Sequence, residues 1–329
     1  MPLMNWSQIF ENTLSSILSP ATLGYALAAL GLAVHFGYGG LINMGVAGFM
    51  ALGAYGYAIS VLTFGLPWWL GAIVGLAAAA VFALVLGIPT LRLRGDYLAI
   101  ATIAAAEVLR LLFLTTAFAD VTGSADGLSG YHGSFREMNP LPDGTYGLGP
   151  WMYNENGWWV RLMGVLTLAF AALTVWMLTR SPWGRVMKGI REDEDAIRSL
   201  GKNVFSYKLQ SLVLGGVIMA AGGVVYALPS AVSPGVYVTS LTFFVWTALL
   251  LGGAATVFGP LLGSLVFWVI QTFLSNVLPA LVSAGVLPFM STVQAGTLRF
   301  ILVGVALMLL VIFMPQGLLG DKKELTFVR

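Results

Sequence analysis

Long apolar stretches alternate with short polar breaks along the chain and predict membrane spans near 19–37, 41–63, 67–90, 96–118, 160–179, 208–228, 241–258, 260–282 and 297–314. Each matches or approaches the roughly 20 apolar residues that one helical crossing of a bilayer requires. About nine transmembrane helices are therefore expected, or eight or ten, depending on how two irregular regions behave. The second span is studded with glycine ("GYGGLINMGVAGFMALGAYG"), and the seventh runs into the eighth through "LLGGAATVFGPLLG". Both are expected to be broken or re-entrant rather than simple helices. There is no short-period repeat, and the two halves resemble each other only weakly.

Two longer segments interrupt the apolar pattern, 119–159 and 180–207. The second contains "RSPWGRVMKGIREDEDAIRSLGKN", which holds 10 of the 30 acidic and basic residues. Basic residues are retained on the cytoplasmic side during insertion. With nine spans and the N-terminus outside, Arg92, Arg94, the seven basic residues from Arg180 to Lys208, and Lys322, Lys323 and Arg329 all fall inside, 12 of 16. This arrangement makes 119–159 an external loop, 180–207 a cytoplasmic loop, and the C-terminus cytoplasmic.

Composition agrees: 58% of the 329 residues are hydrophobic and the mean hydropathy is +0.88, above what a water-soluble domain carries. The whole chain reads as one all-α polytopic membrane domain, 1–329. A net charge of +2 does not suggest nucleic acid as a partner, and zero cysteines remove disulfides, thiolate metal sites and cysteine nucleophiles. The opening "MPLMNWSQIFENTLSSIL" lacks a basic n-region and a clear cleavage site, so it is read as mature sequence and an interfacial amphipathic lead-in.

Within 180–207 a single short helix is expected, starting at Ser181-Pro182 and stopping at Gly201, with Arg191/Asp195 and Glu194/Arg198 at helical i,i+4 spacing. Met187, Ile190, Ile197 and Leu200 form an incomplete apolar stripe suited to docking in a groove on another protein. On the residues alone, an ordinary solvated face is the favoured reading. Glu107 and Arg110, three apart on one helical face and about 18 Å along the fourth span from Gly95, are expected to pair and to face protein or water. They are either a polar element of the translocation path or an ion pair that fixes helix packing, the latter being favoured. Asn43, Met44 and Gly45, in the glycine-rich break, are candidate path-lining residues. His35 is read as an interfacial packing residue and His132 as an external loop residue, with no metal site proposed because no second ligand is suitably spaced. Trp68, Trp69, Trp151, Trp158, Trp159 and Trp183 are read as interface anchors. No H-E-x-x-H, P-loop or G-x-S-x-G is present, which counts against an enzyme and places any ATP hydrolysis on another chain. A stand-alone secondary transporter would need a charged relay across several spans, whereas only Glu107 and Arg110 lie deep.

The segments "GYGGLINMGVAGFMALGAY", "LRLRGDYLAIATIAAAEVLRLL", "TGSADGLSG", "RSPWGRVMKGIREDEDAIRSLG", "GGAATVFGPLLG" and "MPQGLLG" together resemble the LivM-type inner-membrane permease of branched-chain amino acid ABC importers. In importer permeases a cytoplasmic Glu-Ala-Ala, three variable residues and Gly mark the coupling helix. "DAIRSLG" resembles it, with Asp195, Ala196 and Ile197 before Gly201, Asp in place of Glu and Ile in place of the second Ala. The resemblance implies an ATPase-coupling surface built from Met187, Ile190, Arg191, Glu192, Asp193, Glu194, Asp195, Ala196, Ile197, Leu200 and Gly201. It further implies a related permease subunit, two ABC ATPase subunits that bind ATP and magnesium, an extracytoplasmic solute-binding protein, and residence in a bacterial or archaeal cytoplasmic membrane. No cofactor is expected in this chain. Branched-chain amino acids are the implied solutes, with urea and short amides as the alternative within the same family.

Overall fold

The computed structural model describes residues 5–92, 95–287, 290–314 and 316–320. Local sequence sets most helix starts. Ser19 caps α2 (Pro20–Leu32) by accepting the Thr22 N–H at 3.1 Å, with Pro20 at the first helical position, where its missing N–H costs nothing. The chain continues through a π-helical turn, Ala33–Tyr38, into an irregular segment. These elements come after α1 (Trp6–Ser15), an amphipathic helix that buries Ile9 and Thr13 and exposes Trp6 and Phe10, as the lead-in reading expects.

The remaining apolar helices are α3 (Val46–Phe64), α4 (Trp68–Thr90), α5 (Gly95–Leu114), α8 (Glu155–Arg180), α11 (Val204–Ala227), α12 (Thr239–Gly252), α13 (Gly259–Ser283) and α14 (Thr292–Phe313). The short α6 (Ala119–Thr122) and α7 (Gly133–Glu137) precede α8, while α9 (Pro182–Glu192) and α10 (Glu194–Ser199) come after it. Among the described residues, seven helices are long and apolar enough to cross a bilayer; Thr239–Gly252 and the described apolar part of α14 are shorter. The expected count of nine is thus approximate: all nine apolar elements exist, but the seventh is cut short at Gly252 and residues 253–258 form a break. The fourth expected span also ends earlier, at Leu114. Arg94, Lys322, Lys323 and Arg329 lie outside the described residues.

Helices α2, α3 and α11 occupy the centre. In the apolar window of α2, 89% of residues are buried, against 11% in α5. Close approach of α2 and α11 depends on facing glycines: a Cβ on Gly24 would lie 2.9 Å from the Gly222 carbonyl oxygen, and one on Gly31 would collide with that of Gly215. Helix α8 packs on the opposite flank of α2 through Ala171, Ala172 and Val175 against Leu23, Leu27 and Leu30. Helices α12, α13 and α14 complete the other side.

The two ends of the bundle differ. At one end, residues 119–154 form a structured cap, with a two-stranded antiparallel pairing of β1 (Thr145–Tyr146) and β2 (Tyr153–Asn154). A bridge between Leu128 and Val232 and the Tyr131 hydroxyl, which donates to the Ala227 carbonyl at 2.9 Å, hold the cap to the α11–α12 connection. Several expected tryptophan anchors fasten this cap: Trp159 donates to the Phe135 carbonyl at 2.9 Å, Trp158 to Tyr146 at 2.8 Å and Trp151 to Leu14 at 3.2 Å. His132 sits here too, its imidazole held below the usual value by burial and by the Arg136 charge. At the other end lie α9, α10, both helix breaks and the segment 316–320, whose Leu318 and Leu319 N–H groups donate to the carbonyls of Leu251 (2.8 Å) and Gly252 (2.9 Å).

Candidate functional site at the helix break and charged loop

The break between α2 and α3 begins where the π turn runs into glycine. Gly40 turns the chain at φ +66°, a conformation that favours glycine. The backbone polar groups that lack helical partners in residues 41–47 are then satisfied from several directions. Asn43, fully buried, accepts the Gly45 N–H at 2.7 Å with Oδ1 and places Nδ2 3.0 Å from His35 Nδ1. The Nε2 of His35 lies 3.0 Å from the Leu212 carbonyl of α11. A carbonyl can only accept, so Nε2 carries the proton and Nδ1 accepts from Asn43; one neutral tautomer satisfies the whole chain of bonds. Trp246 of α12 donates to the Asn43 carbonyl at 3.1 Å, Thr102 of α5 accepts the Met44 N–H at 2.9 Å, and Thr242 of α12 accepts the Ala47 N–H at 3.1 Å. The break is therefore a buried junction tying α2, α3, α5, α11 and α12 together. His35 is a central member of it and not an interfacial packing residue; the expected interface position fails because the π turn swings it inward against α11.

The charged loop sits directly under this junction. Ser181 caps α9 and Pro182 comes next, as the sequence predicts, but the helix stops at Glu192. Asp193 turns extended at φ −154° and caps a second helix, α10, its Oδ1 accepting from the Asp195 and Ala196 N–H groups, both at 3.0 Å. The expected single helix is thus two, because an Asp with acceptors free competes for the backbone and favours a cap over a helix interior. The Arg191/Asp195 pair is lost with it. Arg191 instead turns inward, its side chain 3% exposed, and donates to the Gly37 carbonyl. Glu194 and Arg198 do pair, at 2.8 Å, with Asp195 2.9 Å from Arg198 and Lys208 joining Glu194.

The apolar stripe divides in the same way. Met187 and Ile190 are buried with Val204 in a small cluster of the chain's own residues, flanked by Trp183, Ile197 and Tyr207. They anchor α9 to the bundle and offer no outward docking surface. Of the expected coupling residues, Glu192, Asp193, Asp195, Ala196 and Leu200 are exposed, Leu200 at 73%, and Gly201 ends the segment at φ +73°. Glu192 and Asp193 lie at the joint between the two helices.

On α5, Leu98, Thr102 and Ala106 face inward, and Glu107 and Arg110 lie to one side of that stripe. Arg110 Nη2 approaches Glu107 Oε1 at 2.5 Å and Nε lies 2.9 and 3.0 Å from the two carboxylate oxygens. The expected pair therefore forms. Its side chains remain 40% (Glu107) and 20% (Arg110) exposed, and their hydrogen bonds among the described residues run to each other. Sequence reading missed Thr102, Thr242 and Trp246. Their only signal was a hydroxyl or indole in an apolar run, and nothing in that pattern tells which backbone it will reach.

The fold defines a multi-pass α-helical membrane protein with one end closed by a cap and the other bearing a water-exposed helical loop. The family described as the permease component of branched-chain amino acid transport systems matches residues 14–314, and the chain belongs to that family. It is 29% identical over 323 residues to the high-affinity branched-chain amino acid permease LivM of Escherichia coli (strain K12), covering 92% of this chain and 69% of that protein. Similarity to a probable branched-chain amino acid permease LivM of Methanocaldococcus jannaschii is 25% over 346 residues, covering 92% of each. It is also 26% identical over 238 residues to the nucleoside ABC transporter permease NupC of Lactococcus lactis subsp. cremoris, covering 70% of this chain and 72% of that protein.

Proposed function

We propose that the chain is one permease half of an ATP-driven importer for branched-chain amino acids in a bacterial or archaeal cytoplasmic membrane, with its N-terminus and cap outside and its charged loop inside. It pairs with a related permease and works with two ABC ATPase subunits and an extracytoplasmic solute-binding protein. The observation that carries this reading is the division of labour in the charged loop. Helix α9 is packed beneath the break through Met187, Ile190 and Arg191, while α10 and Leu200 project into water. A soluble ATPase that grips the projecting face moves α9 with it, and α9 moves the break that carries Asn43, Met44 and Gly45. No step of this is covalent in this chain; ATP and magnesium act on the ATPase subunits.

The Glu107–Arg110 pair supports the permease–permease pairing. A partly exposed ion pair about 18 Å along a membrane helix is costly against lipid, and a second permease subunit or the aqueous path between the two halves removes that cost. The branched-chain reading rests on the family; the nucleoside permease among the relatives makes nucleosides the competing solute class.

The test is reconstitution with the ATPase and binding-protein subunits. Leu200→Asp places a charge in the proposed groove without touching this chain's own packing, so ATPase attachment or binding-protein-stimulated hydrolysis is expected to fall at least about tenfold, given that a buried unpaired charge costs more than about 1.4 kcal/mol. Wild-type attachment, hydrolysis and uptake would reject the coupling role. Uptake of leucine but not of a nucleoside checks the solute class.

A further inference from the structure

A cavity of about 290 Å³ opens at the cap end, where the start of α8, the start of α2, α7 and the α11–α12 connection meet; its lining includes Pro20, Phe135, Arg136, Asn154, Arg161 and Pro229. Two arginines are among its lining residues. Neither Arg136 nor Arg161 has a carboxylate within ion-pair distance among the described residues. Glu155, the acid closest to Arg161 in the chain, is turned away: it accepts from the Gly144 N–H at 3.3 Å and from Asn156 Nδ2 at 2.9 Å. Arg161 is held in place, stacked on the Tyr153 ring at 3.3 Å and donating Nη1 to the Gly157 carbonyl at 2.7 Å, yet its Nε is buried with no acceptor. Arg161 is thus fixed in place and, with Arg136, carries positive charge that no carboxylate of the described residues neutralises, so an oxyanion from outside the chain is favoured there.

The depth of the site identifies the source. Arg161 lies six residues after Glu155, about 9 Å along α8 at 1.5 Å per residue. Trp158, partly exposed, occupies the same turn of helix, and side chains of this kind settle at the headgroup level. On the far side of Arg161 the surface of α8 becomes apolar and exposed at Leu162, Val165 and Leu166. We propose that this cavity is a structural lipid site that seats the phosphate of a membrane phospholipid between Arg136 and Arg161, its acyl chains lying along the exposed face of α8. The proposal is independent of which solute the protein carries.

The transporter, extracted from membranes in mild detergent, is titrated with phosphatidylglycerol or with a phosphate-free diglucosyl diacylglycerol of the same acyl chains, and bound lipid is counted by native mass spectrometry. Two charge-assisted contacts predict at least about tenfold tighter binding of the phospholipid. Arg161→Gln and Arg136→Gln are each expected to remove most of that difference. Because Arg136 is exposed, its variant keeps the fold and the test stands even if Arg161→Gln disturbs the stack on Tyr153. Equal binding of the two lipids, a difference that survives both substitutions, or displacement of the phospholipid by free leucine would each overturn the assignment, the last by showing a solute carboxylate site.

Discussion

Asn43 spends both ends of its amide on the break, one on the Gly45 N–H and one on His35. Truncation in Asn43→Ala leaves two buried polar groups without partners, and each such group costs about 1–3 kcal/mol. The variant is expected to lose thermal stability by that order, read as a lowered unfolding temperature in detergent, whereas an exposed control such as Lys202→Ala changes little. An unchanged unfolding temperature would show that water replaces the amide. His132 gives a pH signature in the cap. Burial and Arg136 hold its native imidazole below the ordinary value, so the native cap favours the neutral ring. The unfolded segment takes up a proton near pH ~6.5, and the stabilisation is therefore complete above that pH and declines as pH falls through it toward the lower native value. Hydrogen exchange in residues 128–137, corrected for intrinsic rates, is expected to accelerate as pH drops from about 7 to about 5, and His132→Gln should flatten that dependence. The same acceleration in the variant would place its cause elsewhere.

At the scale of elements, two contacts decide how helices meet. The α2–α11 crossing puts the Gly31 Cα against the Gly215 carbonyl with no room for a Cβ. Gly31→Val must push the helices apart, a strain of about 1–3 kcal/mol or more, and a reduced monodisperse fraction on size-exclusion chromatography is expected. The α9–α10 joint rests on Asp193, and Asp193→Ala removes an N-cap worth about 1 kcal/mol. Helix α10, only six residues long, should fray while α9, held by Met187 and Ile190, does not. Faster exchange in 194–199 with unchanged exchange in 183–191 is the expected pattern; equal acceleration in both would mean that the two helices form one cooperative unit. The sequence announced the start of α9 through Ser181-Pro182 and the αL stop at Gly201, because both are local conformational requirements. It did not announce the joint, since an Asp in a charged run can cap a new helix or face solvent within one, and spacing alone does not say which.

At the scale of the molecule, the natural absence of cysteine makes topology directly measurable. Leu148, 84% exposed in the cap, and Leu200, 73% exposed beyond α10, lie at opposite ends. In intact cells Leu148→Cys is expected to react with a membrane-impermeant maleimide and Leu200→Cys to react only after permeabilisation. The reverse pattern would invert the proposed orientation, and labelling of both in intact cells would break it.

The number and approximate places of the apolar elements, the charged loop, the two broken regions and the Glu107–Arg110 pair were all set by sequence. They depend on short-range quantities: the length of an apolar run, glycine content, helical spacing and charge clustering. Tertiary structure alone decided which side of each element is buried. It turned Met187, Ile190 and Arg191 from a prospective outward face into the anchor of α9, and drew His35 from a prospective interface into the centre of a polar junction. It also left the Glu107–Arg110 pair partly exposed and collected Arg136 and Arg161, 25 positions apart in the chain, around one cavity. In a helix that is apolar all round, the sequence carries almost no amphipathic signal to mark the inward face. That choice falls to small-residue contacts and backbone polar groups, whose partners lie up to some 200 residues away, as Trp246 does from Asn43.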